Sequence, residues 1–158
     1  MAEILIRAAR GDEAQWVVAM IHRMVQEVAR YGGHAAATAE SAWDCLGDTI
    51  AKQLADEDSR YLIAESEAHE RVGMIGAEAA TITGAFSPRQ VLEIKAVYVV
   101  PALRNAGLGS RLLSAVLDWG RTRGCQECGL TVVNGNPATA LYRKHGFVLS
   151  ALEMVRKL

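Results

Sequence analysis

Residues 104–109 read Arg-Asn-Ala-Gly-Leu-Gly and stand between a strand-like run, Leu92–Val100, and a helix-like run, Leu108–Gly124. A glycine-rich turn that leads from a strand into a helix directs several backbone N–H groups the same way. Those groups, together with the positive end of the helix dipole, bind phosphate oxygens. Arg104 adds a positive side chain at the mouth of the turn. The stretch therefore predicts a strand–turn–helix unit that holds a phosphorylated ligand.

Two other kinds of phosphate-binding loop do not fit this turn. A Walker loop ends in Gly-Lys-Ser/Thr, whereas Gly109 is followed by Ser110 and Arg111. A dinucleotide fingerprint requires a further small residue where Leu112 stands, and an acidic residue about 20 residues further on. The turn is therefore of another class.

The pattern Arg-x-x-Gly-x-Gly resembles motif A of the GNAT acyl-CoA N-acetyltransferases, with Arg104, Gly107 and Gly109 in its fixed places. A second stretch, Asn136–Phe147, reads NPATALYRKHGF and is similar to motif B of the same family. One helix and one strand separate the two motifs, as they do in the family. The resemblance covers the C-terminal part of the chain, and the N-terminal half matches only in the order of its elements.

Hydrophobic spacing predicts the elements along the chain. The helices are expected from Asp12 to about Tyr31, over Ser41–Ala55, over Leu108–Gly124 and over Pro137–Lys144, and the strands over Glu3–Arg7, Tyr61–Glu65, Val72–Thr83, Leu92–Val100, Glu127–Val133, Phe147–Ser150 and Leu152–Arg156. The resemblance implies an α/β (α+β) fold over residues 1–158, with a mixed, twisted sheet of six to seven strands and about four helices. In that fold the sheet is split between its fourth and fifth strands.

The resemblance also implies that acetyl-CoA is the cosubstrate. Its pyrophosphate would lie on the glycine turn and its pantetheine arm in the split, with the backbone N–H of Val99 against the thioester carbonyl. The residues assigned to the cofactor are Val97, Tyr98, Val99, Arg104, Asn105, Ala106, Gly107, Leu108, Gly109, Ser110 and Asn136. For Asn136 a second interpretation stays open, because an asparagine there can simply cap the helix that starts at Pro137.

Acetyl transfer to an amine moves a proton from the amine and delivers one to the leaving thiolate. The resemblance implies that Glu93 is the base and that Tyr142, the motif B tyrosine, is the acid. Strand alternation predicts one shared face for four residues, namely Glu93, Lys95, Val97 and Val99. Two alternatives stay open, in which Tyr142 only packs and Glu93 only pairs with Lys95.

The expected activity is N-acetylation of a primary amine on a small molecule. A protein or peptide N-acetyltransferase and a non-catalytic acyl-CoA-binding module are the alternatives. Tyr31 and His34, at the loop between the first two helices, are candidates for contact with the acceptor, because in the family that loop helps to line the acceptor pocket.

Composition limits the remaining classes. The chain has 158 residues, 51% of them hydrophobic, with a formal net charge of −1, which favours one globular domain and argues against a nucleic-acid partner. No apolar run approaches a membrane span and no signal-peptide core is present. Three cysteines suit a reducing cytoplasm, and Cys125-x-x-Cys128 alone lacks the four ligands of a zinc site, so no metal is expected. The resemblance implies a homodimer.

Overall fold

The computed structural model describes residues 3–31, 40–83, 88–154 and 156. The strands are β1 (Ile4–Ala8), β2 (Ser59–Ser66), β3 (Arg71–Ile82), β4 (Arg89–Val99) and β5 (Glu127–Leu130). The helices are α1 (Ala14–Val28), α2 (Glu40–Leu54), α3 (Leu108–Thr122) and α4 (Ala138–Lys144), with single 3₁₀ turns at Gly11–Glu13, Ala29–Tyr31 and Pro101–Leu103. The sheet has the order β1-β2-β3-β4-β5. Its first three pairs are antiparallel, and β4 and β5 are parallel.

The two faces of the sheet carry separate apolar cores. On one face α3 packs Leu112 and Val116 against Ile75 and Leu92. On the other face Val17 of α1 and Ile50 of α2 pack against Met74, Ala96 and Tyr98 of the sheet. Full burial of one such aliphatic side chain stabilises the fold by roughly 1.5–3 kcal/mol. The two cores therefore fix which side of each strand faces which helix.

Strand β4 contains a bulge that reverses its faces. Gly76 on β3 pairs with Ala96, but the next residue of β3, Ala77, pairs with Ile94, so Lys95 has no partner. Leu92 and Ile94 belong to the core on the α3 side, and Ala96 and Tyr98 to the core on the α1 side. An inserted residue shifts the alternation by one place.

The predicted common face of β4 is therefore wrong. Glu93 is on the α1 side, with Ala96 and Tyr98, whereas Val97 and Val99 are on the α3 side. Strict alternation cannot reveal a bulge, because the apolar pattern reads as continuous across it.

The sheet also has fewer strands than expected. Within the described residues it has five, and the segments 147–150 and 151–154 form none. Val148, Leu149 and Leu152 are 85%, 74% and 78% exposed. An alternating apolar segment becomes a strand only where a neighbouring strand pairs with it and a core covers one face, and neither condition holds here. The strand expected over 127–133 ends at Leu130.

A buried carboxylate fixes the connection between β1 and α1. Glu13 is 2% exposed, and Arg7 donates to both of its oxygens at 2.8 Å. The backbone N–H of Arg10 donates to Glu13 as well, at 2.8 Å. These bonds, of which the one from Arg7 has the largest effect, lower the pKa of Glu13 to about 2. The carboxylate therefore stays charged and paired at neutral pH.

Candidate functional site

The glycine turn presents unpaired backbone donors at the start of α3. Gly107 has φ +82°, a left-handed conformation that glycine adopts at little cost, and it directly precedes the first helical residue, Leu108. Between Asn105 and Ser110 no backbone N–H donates to another described residue. The first N–H groups of any helix lack partners inside the helix. The turn is therefore a cluster of donors at a positive helix end, which suits an anion.

The Arg104 side chain does not extend into the mouth of the turn. Its Nε donates to the carbonyl oxygen of Val99 at 2.8 Å, and its Nη2 donates to Glu27 of α1 at 3.0 Å. Its guanidinium also lies over the Tyr98 ring, 5.4 Å from the centroid. The hydrogen bond with Glu27 is the main cause that raises the pKa of Arg104. Arg104 thus ties the turn to β4 and α1.

Strands β4 and β5 separate beside the turn. Their last pair is Ile94 with Leu130, and β4 continues to Val99 with no described strand on that edge. The N–H of Val100 donates to Val72 of β3 at 2.9 Å. Because successive residues of a strand point their N–H groups to opposite edges, the N–H of Val99 points to the open edge. The opening matches the split that the resemblance implies.

Tyr142 lies in α4 on the same side of the sheet as α3. It is half-buried, packs against the core on that side, and its ring meets Phe147 edge to face with 5.9 Å between centroids. Burial raises the pKa of its hydroxyl above the ordinary tyrosine value. The hydroxyl has no hydrogen bond to another described residue, so it can donate to a bound group.

Two contacts hold α4 against the start of α3. A Cβ built on Gly109 would lie only 3.2 Å from Cδ2 of Leu141, so the second motif A glycine allows close helix packing. The Ser110 hydroxyl and Nε2 of His145 are hydrogen-bonded at 2.5 Å. His145 is not among the site residues that the sequence predicts. The signal available for it was a polar residue inside the motif B stretch, one helical turn after Tyr142.

The contacts of Asn136 fit its second interpretation, in which it caps the following helix. Its side-chain oxygen accepts a hydrogen bond from the backbone N–H of Ala138 at 2.9 Å, at the start of α4. A short polar side chain that satisfies an unpaired N–H in the first turn of a helix acts as a cap. The side-chain NH₂ of Asn136 donates to no other described residue, so it keeps donors for a ligand.

Glu93 lies in an ion cluster on the α1 side of the sheet. Lys95 donates to it at 2.7 Å, and the same ammonium lies 3.4 Å from Glu78, which is the partner of Glu93 across β3 and β4. Burial lowers the pKa of Lys95, but the hydrogen bond and charge of Glu93 and the charge of Glu78 outweigh it, so that the pKa is raised. The ion pair with Lys95, which is the alternative interpretation of Glu93, is thus present.

The candidate acid and base lie on different sides of β4. Tyr142 packs against the core on the α3 side, and Glu93 is on the α1 side. No contact joins the two within the described part of the chain. The pairing of β4 with β5 ends at Ile94–Leu130, between the two candidates.

Of the two acceptor candidates, Tyr31 lies in the 3₁₀ turn after α1 and is 41% exposed, and His34 lies outside the described residues.

Among the residues that the structure describes, no group of three or more His, Cys, Asp or Glu side chains could hold a metal ion. Cys128 is half-buried, and this burial raises the pKa of its thiol to about 11. None of the described helices is long and apolar enough to cross a membrane.

Comparison with known families gives a match over most of the chain. A family model described as the acetyltransferase (GNAT) family matches residues 19–147. This range includes the glycine turn, the open edge of β4 and all of α4.

Comparison with individual proteins gives relatives of the same kind. Streptothricin acetyltransferase from Streptomyces lavendulae is 33% identical over 99 residues, which are 62% of this chain and 49% of the relative. The match thus spans about half of that curated relative's length.

Among solved structures, a mutant of the BH1408 protein from Bacillus halodurans has a TM-score of 0.82 at 17% identity, covering 98% of this chain and 99% of its own. An aminoglycoside N-acetyltransferase in complex with CoA has a TM-score of 0.71 at 20% identity, covering 99% of this chain and 96% of its own. At these identities the likeness is one of fold.

Proposed function

Since the chain belongs to the GNAT acetyltransferase family and is an acyltransferase enzyme, we propose that it moves an acetyl group from acetyl-CoA to a primary amine of a small molecule, by direct transfer. The observation that carries this proposal is the junction of the open edge of β4 with the glycine turn. Unpaired backbone donors follow one another there, first along an extended strand and then at a helix N-terminus. That order suits a ligand with an amide-containing arm and a pyrophosphate.

In this proposal the backbone holds most of the cosubstrate. The N–H groups from Asn105 to Ser110 bind the pyrophosphate, and Arg104 keeps their turn in place. The N–H groups of Val97 and Val99 point to the open edge and pair with the amides of the pantetheine arm, whereas that of Tyr98, between them, points to β3. The side-chain NH₂ of Asn136 reaches the same arm while its oxygen caps α4.

The acceptor must lose a proton before it can attack. An alkylamine with a pKa near 10 is only about 0.1% neutral at pH 7, which corresponds to roughly 4 kcal/mol. Glu93 accepts this proton through a chain of water molecules, because it lies six residues from Val99 along β4. The amine nitrogen then forms a bond with the thioester carbon, the carbon–sulfur bond breaks, and the hydroxyl of Tyr142 gives its proton to the departing thiolate. The nitrogen loses its second proton to solvent water as the amide forms, and solvent returns a proton to Tyr142. The N–H of Val99 stabilises the charge that develops on the carbonyl oxygen.

The relatives support a small acceptor. One of them is a streptothricin acetyltransferase, and another is an aminoglycoside N-acetyltransferase. Tyr31, exposed at the end of α1, and His34 are assigned to the acceptor side of the site. The reaction as written needs no metal ion, since a carboxylate, a phenol and backbone N–H groups perform every step.

We also infer a cytoplasmic homodimer. A second copy of the chain would cover the apolar surface that is exposed after α4. The side chains that form this surface are Val148 (85%), Leu149 (74%), Leu152 (78%) and Met154 (94%). Three free cysteines suit a reducing compartment. Light scattering should give the mass of a dimer for the wild type and that of a monomer for Leu152→Asp. A monomeric wild type would contradict the inference.

The test of the proposed activity is acetylation of a panel of amines. The panel holds polyamines, amino acids, aminoglycosides, streptothricin and a lysine peptide, each incubated with acetyl-CoA. Acetylated products should be detected by mass, because thiol reagents for CoA would also report Cys45, Cys125 and Cys128. We expect at least one small amine to be acetylated and the peptide not to be. Binding of acetyl-CoA with no acetylated product across the panel would contradict the proposal.

A further inference from the structure

Glu27 of α1 holds the Arg104 side chain against the end of β4. Nη2 of Arg104 lies 3.0 Å from Oε1 of Glu27 and 2.9 Å from Oε2, so it is within hydrogen-bond distance of both carboxylate oxygens. The guanidinium also lies over the Tyr98 ring, and Nε donates to the carbonyl oxygen of Val99. Three contacts from two elements therefore fix the direction of this side chain.

The Arg104 contact changes what the open edge of β4 offers at Val99. In an antiparallel strand the N–H and the C=O of one residue point to the same edge. Val97 therefore directs both groups to the open edge, and so does Val99. At Val99, however, the carbonyl oxygen is already bonded to Arg104 at 2.8 Å. The edge thus offers a donor and an acceptor at Val97 but only a donor at Val99.

This difference matches the two kinds of carbonyl group in the arm of acetyl-CoA. An amide has an N–H and a C=O, so it pairs with a residue that offers both an acceptor and a donor. A thioester has a carbonyl and no N–H, so it pairs with a donor alone. A free carbonyl oxygen at Val99 would repel the thioester oxygen, whereas a guanidinium bonded to it places positive charge near the atom that gains negative charge.

We propose that Glu27 is a positioning residue for acetyl transfer, which holds the Arg104 guanidinium on the carbonyl oxygen of Val99 so that Val99 presents only its N–H to the thioester carbonyl. This inference rests on the proposed function, because it concerns how the same site treats the acetyl group. Glu27 itself touches neither the cosubstrate nor the acceptor in this proposal and acts through Arg104.

Glu27 is required because the phosphate turn competes for the same guanidinium. Arg104 directly precedes the turn donors of residues 105–110, and phosphate oxygens are strong partners for arginine. The carboxylate of Glu27 supplies a fixed partner that keeps the guanidinium at β4. The side chains of Arg104 and Glu27 are 38% and 32% exposed. Partly exposed ion pairs contribute little to stability, so loss of Glu27 should leave the fold intact.

The first arm of the test observes the carbonyl directly. The probe is acetyl-CoA with ¹³C at its acetyl carbonyl, bound to the full chain without an acceptor and measured by infrared difference spectroscopy. In the wild type the carbonyl stretch should lie at lower frequency than in free acetyl-CoA, because a donor at the oxygen weakens the double bond. In Glu27→Ala most of this shift should be lost. Gln26→Ala is the matched control, since Gln26 is the preceding residue of α1 and bonds with His22. It should keep the shift.

The second arm separates positioning from support of the turn. With the best amine of the panel, Glu27→Ala should lower kcat about tenfold. Calorimetry should show that this variant binds acetyl-CoA at least as tightly as the wild type, because the change removes a negative charge near the phosphate turn. Weaker binding of acetyl-CoA together with a lower kcat would mean that Glu27 only supports the turn, and would overturn the proposal.

A double-mutant cycle tests whether Glu27 acts through Arg104. In an Arg104→Met background, Glu27→Ala should have no further effect on the carbonyl frequency, because the side chain that it positions is absent. A further loss of the shift of the same size as in the wild-type background would show that Glu27 acts by another route, and would also overturn the proposal.

The outcomes distinguish this inference from the proposed function. If an amine is acetylated and Glu27→Ala keeps the full carbonyl shift, the role of Glu27 is wrong and the activity stands. If the shift is present in the wild type and lost in Glu27→Ala while no amine is acetylated, the role of Glu27 is supported and the proposed function is wrong. A wild type that acetylates an amine without any carbonyl shift would overturn the role of Glu27 as well.

Discussion

The hydroxyl of Ser110 and the imidazole of His145 are hydrogen-bonded at 2.5 Å, which joins the first turn of α3 to the end of α4. The same two helices touch through Gly109 and Leu141. The turn proposed for pyrophosphate and the helix that carries Tyr142 therefore form one packed unit. A ligand that orders the turn would also fix the position of the Tyr142 hydroxyl.

A double-mutant cycle measures this link. Ser110→Ala and His145→Ala should each lower the free energy of unfolding, and their coupling should be about 1 kcal/mol, the usual net value of a hydrogen bond. Urea unfolding of the two single variants and the double variant gives the coupling. The control cycle pairs Ser110→Ala with Lys144→Ala, an exposed neighbour with no contact to Ser110, and should show none. Equal coupling in both cycles would contradict the link.

The conformation of Gly107 predicts a specific loss of acetyl-CoA affinity. Gly107→Ala places a Cβ at φ +82°, which should lower the free energy of unfolding by about 1 kcal/mol and turn the nearby N–H groups out of alignment. Gly124→Ala is the matched control, because Gly124 has φ +77° at the other end of α3 and open space around it as well. Calorimetry should show roughly tenfold weaker acetyl-CoA binding for Gly107→Ala only. Equal affinity in the two variants would exclude the turn as the phosphate site.

Removal of the Tyr142 hydroxyl should slow the chemical step. Tyr142→Phe keeps the edge-to-face contact with Phe147, so we expect unchanged folding and acetyl-CoA affinity and a kcat lower by about 10²-fold. An acid must be protonated to act, so activity falls as the pH rises through its pKa. Because burial raises this pKa, the midpoint of the fall should lie at a higher pH than for an ordinary tyrosine. Full turnover in Tyr142→Phe would show that the ring only packs.

Loss of the carboxylate at position 93 should remove the base. In Glu93→Gln the amine must lose its proton to water, so we expect kcat/KM to fall by about 10²-fold or more and the acid limb of its pH profile to disappear. Glu127→Gln, on β5, keeps a similar exposed strand environment and should retain the wild-type profile. A profile that does not change in Glu93→Gln would assign the carboxylate to charge pairing alone.

The buried Glu13 predicts a pH-dependent stability. Its pKa is about 2 in the folded chain against an ordinary value of 4.5, so its contribution is complete above about pH 4.5 and is lost as the pH falls towards 2. Glu13→Gln should lower the free energy of unfolding by roughly 3 kcal/mol at pH 7. The deficit should shrink as unfolding is measured at successively lower pH. Asp12→Asn, whose side chain is 79% exposed, should show little change at any pH.

Much of the fold followed from local sequence rules. The turn at 104–109, the start of α3 at Leu108 and the short α4 were predicted because glycine conformation and helix-end chemistry act within a few residues. The partners of Arg104 and Ser110 were not predicted. Glu27 and His145 are distant in sequence, and only packing brings them to the site.

The two errors in the sheet have a common physical origin. Alternation predicts strands over 147–150 and 152–156 and a common face from Glu93 to Val99. In each case the outcome depends on the neighbouring strand, which is missing beside Val148 and out of register beside Lys95. Pairing is a property of two segments, and one segment's pattern cannot specify it.

The unpaired Lys95 divides β4 into two parts, and the alternation of side chains between the two faces shifts by one residue from one part to the other. If β4 instead paired regularly through Lys95, with no bulge, while Val97–Val99 kept their places, Glu93 would face the apolar layer under α3, and Ile94 would take its position on the α1 side. Both motifs would still be complete in such a chain, and a search by sequence would count it among active enzymes. It would carry a buried, unpaired carboxylate and no base. Correct residues at correct motif positions are thus insufficient for catalysis in this fold. The pairing of a single residue, Lys95, decides on which side of the sheet Glu93 lies.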